Sequence, residues 1–214
     1  MTTLITGANR GIGAALHDRL SQDDRVIGTH RDAARDGWLR LDVADPDSVA
    51  AMARDFGDGP LDLLVCNAGL YEDRGMALDT GFPPDLWARE FAVNVTGVFL
   101  TVQALLPNLR AARGKIAIVS SQMGSSEIAS GGAYIYRASK AAALNLGRNL
   151  AVDLKNDGIA VGIYHPGWVR TDMGGDSASI SATEAADGLA RRFAALTLGT
   201  TGCFETWDGR AHPF

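Results

Sequence analysis

The sequence is poor in the residues that build disulfide frameworks and metal sites. It contains only two cysteines, Cys66 and Cys203, and Cys66 lies in an apolar run typical of a buried thiol, so we expect no disulfide. Its four histidines are scattered, and neither cysteine has a neighbour at a metal-ligand spacing. We therefore expect no metal site.

Basic residues and long apolar runs are also scarce. With 20 Lys and Arg against 25 Asp and Glu, the chain is mildly acidic, which argues against nucleic acid or an anionic membrane surface as a partner. No apolar run reaches the ~20 residues that a membrane-spanning helix needs, so we expect no membrane span. The chain enters a strand-like run at once, without a basic targeting segment, which predicts a reducing cytoplasm as its location.

The chain alternates between short apolar or β-branched runs and helical patterns. The runs predict strands at residues 3–6, 25–30, 39–41, 61–66, 115–120, 160–164 and 203–207. The helical patterns cover residues 11–20, 46–56, 86–110, 133–155 and 182–198. Because the strands are continuously apolar, both faces of the sheet must be covered by helices. We predict an α/β fold: a single domain, residues 1–214, with a doubly wound sheet of about seven parallel strands.

Two connections have distinctive features. Residues 30–38 are too few for a full crossover helix, so a turn is predicted there. Residues 174–181 are rich in Gly, Ser and Ala, and we interpret them as a mobile lid beside a site.

A glycine-rich turn joins the first strand to the first helix. Its glycines permit a tight turn and close approach of a pyrophosphate, and the helix N-terminus offers free N–H groups, although a purely structural turn has the same composition. The spacing G-x-x-x-G-x-G resembles that of the short-chain dehydrogenase/reductase family, which implies a Rossmann-type fold and a bound dinucleotide. In that family this turn holds the cofactor, here through Gly7, Asn9, Arg10, Gly11, Ile12 and Gly13.

Three further segments match cofactor-binding motifs of the same family, each after a predicted strand. Taken alone, each is also compatible with an ordinary turn. The resemblance assigns the first to the adenine ring, the second to the cofactor crevice and the third to the carboxamide end of the nicotinamide. Their residues are Asp42 and Val43; Asn67, Ala68 and Gly69; and Pro166, Gly167, Val169 and Thr171.

Tyr136 and Lys140 lie four residues apart on a predicted helix, which brings both side chains to one face. A cation about 4 Å from a phenol, at an effective dielectric of ~20, contributes about 4 kcal/mol, or about three pKa units. We therefore expect Lys140, with the oxidised nicotinamide, to lower the pKa of Tyr136 until it serves as general acid or base near neutral pH. Tyr134 lacks a lysine four residues on and is the weaker candidate.

The family's remaining catalytic positions correspond to Asn94 and Ser121. Asn94 is a polar residue inside an apolar helical pattern, where a buried amide must find partners, and the resemblance implies a kinked helix and a water-mediated proton relay. Ser121 matches the serine that orients the substrate oxygen, but its spacing to Tyr136 is fifteen residues, two more than usual, so Ser125 and Ser126 remain rivals. The extra residues, near 129–132, resemble those of the C-factor and sniffer-type carbonyl reductases.

The end of the second strand indicates the preferred cofactor. His30 stands where NAD-preferring members of the family carry an acidic residue that binds the adenosine ribose. Arg31 and Arg10 supply charge-assisted hydrogen bonds for a 2′-phosphate. We predict that NADP(H) is preferred over NAD(H), with Asp32 as the residue that would reverse this choice if it turned inward.

The resemblance implies an NADPH-dependent oxidoreductase that transfers hydride between nicotinamide and a carbonyl or alcohol carbon. Apolar residues in the variable loops favour a small hydrophobic substrate; they are Met123, Tyr134, Trp168 and Met173. The helices at 86–110 and 133–155 are apolar over much of their circumference, which predicts a homodimer or homotetramer. Two alternatives have the same fold: a cofactor-binding signalling or regulatory protein with little turnover, and a partner-dependent scaffold.

Overall fold

A computed structural model describes residues 1–32 and 35–214. In this part of the chain, seven strands form one sheet in the order β3-β2-β1-β4-β5-β6-β7, and every neighbouring pair is parallel. The strands are β1 (Thr2–Ile5), β2 (Arg25–His30), β3 (Leu39–Arg40), β4 (Leu63–Cys66), β5 (Lys115–Val119), β6 (Ala160–His165) and β7 (Phe204–Thr206). The predicted doubly wound α/β fold is confirmed. The turn predicted for residues 30–38 lies partly outside the described residues.

Helices cover both faces of this sheet. They are α1 (Gly11–Leu20), α2 (Pro46–Phe56), α3 (Pro84–Phe91), α4 (Gly97–Ala104), α5 (Leu106–Ala112), α6 (Tyr134–Asp153) and α7 (Ala182–Ala195). One core cluster joins α1 and α7 to one set of strand side chains, which includes Ile5 and Val65. The other joins α2, α4, α5 and α6 to the opposite set, which includes Leu4 and Leu64. Consecutive strand residues thus face different cores, as the continuous apolar strands predicted.

The helix predicted at residues 86–110 is divided into three segments; the resemblance implied a kink at Asn94, but the single continuous range is corrected. The chain leaves α3 through a π-helical turn, Ala92–Thr96, before entering α4, and α5 is bent by 58° from the preceding helical segment. The bend follows from the proline in the first turn of α5, because a proline ring cannot continue the hydrogen-bond ladder of the preceding helix. In the described residues no single helix is long and apolar enough to cross a membrane; only the bent pair Pro84–Ala104 and Leu106–Ala112 meets that test together.

The two other long helices also differ slightly from the predicted bounds. Helix α6 begins at Tyr134 rather than at residue 133, because Ala133 adopts a left-handed conformation with φ 48°. Helix α7 ends at Ala195, before the predicted residue 198.

The last residues of the chain fold back along β7. The N–H of Thr206 donates to the carbonyl of Arg210 at 2.9 Å, and the N–H of His212 donates to the carbonyl of Phe204 at 2.8 Å. An antiparallel bridge also pairs Glu205 with Ala211. The C-terminal segment therefore occupies the free edge of the sheet.

Candidate active site

A cleft of about 440 Å³ opens over the carboxyl ends of the strands. Most residues predicted to bind a cofactor line it, although they come from widely separated parts of the sequence. They are Gly7, Asn9, Arg10, Gly11, Ile12, Gly13, Arg31, Asp42, Val43, Asn67, Ala68, Gly69, Tyr136, Lys140, Pro166 and Thr171. Gly167 instead lines a neighbouring cavity, and Val169 is buried beside the cleft.

The glycine turn fits a pyrophosphate. Gly7 and Gly11 have φ of 65° and 55°, a backbone region that favours glycine. A Cβ atom added at Gly13 would lie 2.2 Å from the carbonyl oxygen of Gly7, so no larger residue fits there. No side chain caps the N-terminus of α1, whose first N–H groups therefore remain free to bind an anion.

Asn67 connects this turn to the end of β4. Its amide nitrogen donates to the carbonyls of Thr6 at 3.0 Å and Gly7 at 3.1 Å. The hydroxyl of Thr6 in turn accepts the N–H groups of Asn67 and Ala68, both at 3.0 Å. The Asn-Ala-Gly motif thus holds the glycine turn in place, and the floor of the cleft is rigid.

The end of the cleft next to β2 carries two arginines in different environments. Arg31 is exposed, and its carbonyl accepts a bond from Arg40. Arg10 forms an ion pair with Asp172, with 2.8 Å between Nη1 and Oδ2. Asp42 folds into a local turn in which its carboxylate accepts the N–H of Ala44 at 2.9 Å. The sequence allowed two interpretations of Asp42, a residue of the cofactor site or a residue of an ordinary turn. In the structure Asp42 forms such a turn, and this turn lies at the wall of the cleft.

Tyr136 and Lys140 meet deep in the cleft, where both are buried. The ammonium of Lys140 lies 5.6 Å from the centre of the Tyr136 ring and donates to the carbonyl of Val119 at 3.1 Å. Ser121 lies beside Tyr136, close enough for its hydroxyl to lower the pKa of the phenol. Tyr134, two residues earlier, is 39% exposed and packs edge-on against Phe82.

The rival serines lie elsewhere in their loop. The hydroxyl of Ser125 is buried and accepts the N–H of Glu127 at 3.2 Å, whereas Ser126 is exposed. The two glycines before Ala133 also have positive φ, so three left-handed residues in a row precede α6. This conformation accommodates the longer serine-to-tyrosine spacing and leaves Ser121 beside Tyr136.

Burial, rather than the lysine, dominates the acidity of this pair. It raises the pKa of the Tyr136 phenol above its ordinary value, and the hydroxyl of Ser121 opposes this only in part. Burial likewise lowers the pKa of Lys140 to about 8. In the chain by itself, burial outweighs any lowering of the Tyr136 pKa by Lys140, because both groups have lost their water. The lowering expected with the oxidised nicotinamide bound stays a prediction.

Asn94 lies in the π-helical turn and is fully engaged. Its side-chain oxygen accepts the N–H of Leu70 at 2.8 Å, and its side-chain nitrogen donates to the carbonyl of Leu70 and to the hydroxyl of Ser139, both at 2.9 Å. A Cβ atom at Gly69 would lie 3.3 Å from the Asn94 oxygen and 3.4 Å from the Lys140 nitrogen. Asn94 thus joins three segments of the chain around Tyr136 and Lys140.

The four predicted substrate-pocket residues are not brought together. Met173 lines the cofactor cleft, whereas Trp168 lines a second cavity of about 470 Å³. Met123 and Tyr134 line neither of these two cavities. The second cavity adds residues that sequence reasoning did not single out, namely Gln122, His165, Ser179, Thr206, Trp207, Arg210, Ala211 and His212.

Sequence reasoning also missed a group that packs directly behind Tyr136. The ring of Tyr71 stacks on that of Tyr136, with 4.2 Å between the ring centres, and the buried carboxyl groups of Asp73 and Glu90 lie nearby. The sequence held one signal of this group, because Glu90 is an acidic residue inside the 86–110 helical pattern, immediately before its long apolar stretch. Among residues 1–32 and 35–214, no cluster of three or more potential metal ligands is present.

Comparison with known proteins agrees with this geometry. The short chain dehydrogenase family model matches residues 1–181. The chain is 37% identical to C-signal of Myxococcus xanthus over 168 residues, 78% of this chain and 100% of that protein. It is 34% identical to 1-hydroxy-2-glutathionyl-2-methyl-3-butene dehydrogenase of Rhodococcus sp. (strain AD45), with 97% of each chain covered.

The fold is also similar to a solved structure, the NADPH-bound carbonyl reductase from chicken fatty liver. The TM-score is 0.90 at 28% identity, and the match covers 100% of this chain and 98% of that one. The chain belongs to the short-chain dehydrogenase/reductase family of NAD(P)-dependent oxidoreductases.

Proposed function

We propose that the protein is an NADPH-dependent reductase of small carbonyl compounds. The observation that carries this proposal is the buried Tyr136 phenol at the inner end of a dinucleotide-shaped cleft, with Ser121 beside it and Lys140 one helical turn away. When bound, the cofactor supplies a hydride to the carbonyl carbon. Tyr136 donates its proton to the carbonyl oxygen, and Ser121 orients that oxygen by a hydrogen bond.

The electrostatics favour the direction of reduction. Because burial raises the pKa of Tyr136, the phenol keeps its proton at neutral pH and is ready to donate it. Lys140, with a pKa lowered to about 8, retains its charge on most molecules at that pH and stabilises the phenolate left after proton transfer. Asn94 holds Leu70 and Ser139 in place around the pair.

The substrate region adjoins Ser121 and Pro166. Met173 and Trp168 provide apolar surface, as expected, but the adjoining cavity also offers the amide of Gln122 and the ring of His165. We therefore propose a small, mainly hydrophobic carbonyl substrate that carries a hydrogen-bonding group away from the reacting carbon.

The cofactor preference is part of the same proposal. The solved carbonyl reductase contains NADPH, and the cleft of this chain presents Arg10 and Arg31 near its second strand. Both cysteines are free, which supports a reducing compartment.

One alternative has support of its own: the similarity to C-signal favours a signalling or regulatory protein of this fold with little turnover.

Turnover separates the two candidates. The purified protein is expected to oxidise NADPH steadily with at least one member of a panel of aldehydes, ketones and quinones. Tyr136→Phe, which removes only the hydroxyl, should lower kcat/KM by about 10²- to 10⁴-fold while leaving NADPH binding nearly intact. The matched control Tyr134→Phe should retain activity. Equal losses in the two variants would contradict the assignment of Tyr136, and absence of turnover across the panel would favour the signalling role.

A further inference from the structure

Two carboxyl groups lie completely buried behind Tyr136 and have no place in the mechanism above. Asp73 belongs to the segment between β4 and α3, and Glu90 belongs to α3; both residues are 0% exposed. One oxygen of each, Oδ1 of Asp73 and Oε2 of Glu90, is buried without a hydrogen-bond partner. Within the described residues, neither carboxyl forms an ion pair.

The other oxygen of each group is bonded to the backbone. Oε1 of Glu90 accepts the N–H groups of Glu72 at 2.7 Å and Asp73 at 3.2 Å, which brings the two acidic residues together. Oδ2 of Asp73 accepts the N–H of Ile135 at 2.8 Å. Glu90 therefore holds the residue that in turn contacts α6, immediately before Tyr136.

This contact supplies what the catalytic helix lacks. An α-helix begins with N–H groups that have no partner inside the helix, and Ala133, which precedes α6, has no side chain able to cap them. The carboxylate of Asp73 serves as the cap from another part of the chain. Since the capped N–H belongs to Ile135, the position of Asp73 determines the position of the neighbouring Tyr136.

Two buried carboxylates of neighbouring residues, neither of them in an ion pair, are unfavourable in a dry interior, because both charges lose their water and repel each other. A single proton removes one of the two charges. It also supplies a hydrogen-bond donor close to the two carboxyl oxygens that have no partner. We propose that Asp73 and Glu90 hold one proton between them, and that this carboxyl pair positions the first turn of α6 and hence Tyr136. The positioning role rests on the proposed function of Tyr136 as proton donor.

The surroundings of the carboxyl pair support this charge state. The titratable groups around it are Tyr71 and Glu72 from its own segment, Arg89 from α3, and Tyr136 and Lys140 from α6. Arg89 is directed to Glu72, with 2.7 Å between Nε and Oε2, rather than to the pair. Burial raises the pKa of Glu90, which favours Glu90 as the carrier of the proton.

Infrared spectroscopy of the intact protein at neutral pH tests the shared proton without any need for turnover. The wild type should show a buried carboxylic acid band that disappears in Glu90→Gln and also in Asp73→Asn, because the remaining carboxyl is then ionised. The matched control Glu72→Gln should keep the band. A band that survives in either single variant, or that is absent from the wild type, would overturn the proposal.

The pH dependence of kcat/KM for carbonyl reduction tests the positioning role. Glu90→Gln and Asp73→Asn each leave one negative charge, and each amide can still make the bonds of a protonated carboxyl, so the basic limb should not move. The double variant leaves no charge, which lowers the pKa of Tyr136 and shifts that limb to lower pH. A shift in Glu90→Gln alone would show that both groups are ionised in the wild type and refute the shared proton.

Loss of the side chains should have a different effect. Glu90→Ala and Asp73→Ala are expected to lower kcat at least about tenfold with little change in NADPH affinity, because Tyr136 loses its alignment. Unchanged kcat in both would refute the positioning role.

Ultraviolet titration, read as the difference between the wild type and Tyr136→Phe, gives the pKa of Tyr136 without turnover. A protein that shows the shared proton but reduces no carbonyl compound would therefore contradict the proposed function and not the pair.

Discussion

The two arginines at the cofactor cleft are predicted to contribute unequally to NADPH binding. A charge-assisted hydrogen bond to a phosphate contributes about 1.5–3 kcal/mol, so Arg31→Ala should weaken NADPH binding roughly 10- to 150-fold. Arg10 must first leave Asp172, and an exposed ion pair of this kind is worth about 0.2–1 kcal/mol. The net contribution of Arg10, and therefore the effect of Arg10→Ala, should be smaller than that of Arg31 by this amount.

The ion pair also predicts a change in the opposite direction. Asp172→Asn releases Arg10 before NADPH arrives, so it should tighten NADPH binding by up to about fivefold. Binding of NADH, which lacks the 2′-phosphate, should change much less. Arg25→Ala removes an exposed charge at the other end of β2 and serves as the control for a general loss of positive charge.

Isothermal titration calorimetry with both cofactors at one ionic strength measures these effects, since surface charges are screened by salt. The expected order of NADPH affinity is Asp172→Asn, wild type, Arg10→Ala, Arg31→Ala. NADH affinity equal to or greater than that of NADPH would refute the predicted preference. So would an unchanged ratio of the two affinities in the double variant of Arg10 and Arg31.

Three further predictions concern the glycine turn, a buried histidine and assembly. Gly13→Ala forces a Cβ atom against the carbonyl of Gly7, so overpacking should lower the folding stability by about 1–3 kcal/mol and weaken NADPH binding. The control Gly59→Ala, whose Cβ would meet nothing within 4 Å, should do neither, and thermal unfolding and calorimetry measure both effects. Burial lowers the pKa of His165 from 6.5 to about 4, so the unfolded chain takes up the proton first as the pH falls, and about 3 kcal/mol of folding stability should be lost across this range. Denaturant unfolding measured against pH should therefore show a flatter dependence in His165→Gln but not in the control His17→Gln. Light scattering at micromolar concentration should show a homodimer or homotetramer, given exposed apolar side chains such as Phe99 and Val152 on α4 and α6, and a monomer alone would contradict this.

Much of the fold could be predicted because it is encoded locally. Continuous apolar strands indicate a covered parallel sheet, and the glycines at 7, 11 and 13 mark the turn whatever surrounds them. The resemblance implied the kink at Asn94, but the apolar pattern of residues 86–110 did not show where the helix is interrupted, because most positions there are apolar. The contact that stabilises this turn, between Asn94 and Leu70, joins residues 24 positions apart.

The acidity and alignment of the site residues likewise depend on contacts between residues that are far apart in the sequence. The pKa of Tyr136 is governed by its burial, and the stacked ring of Tyr71 belongs to a loop that has no periodic pattern. The contact of Asp73 with Ile135 spans 62 positions, and nothing near either residue indicates it. The residue types of the proposed catalytic set could thus be read from the sequence, whereas the packing that sets their acidity could not.

The C-terminal segment that folds along β7 limits how copies of this chain can associate. An uncovered edge strand offers unpaired N–H and carbonyl groups to any strand of another molecule. Here Thr206 and Phe204, whose backbone groups point away from β6, already bond to Arg210 and His212. At the opposite end, β3 pairs through only two residues. The C-terminal segment therefore blocks growth of the sheet across β7 into a second subunit.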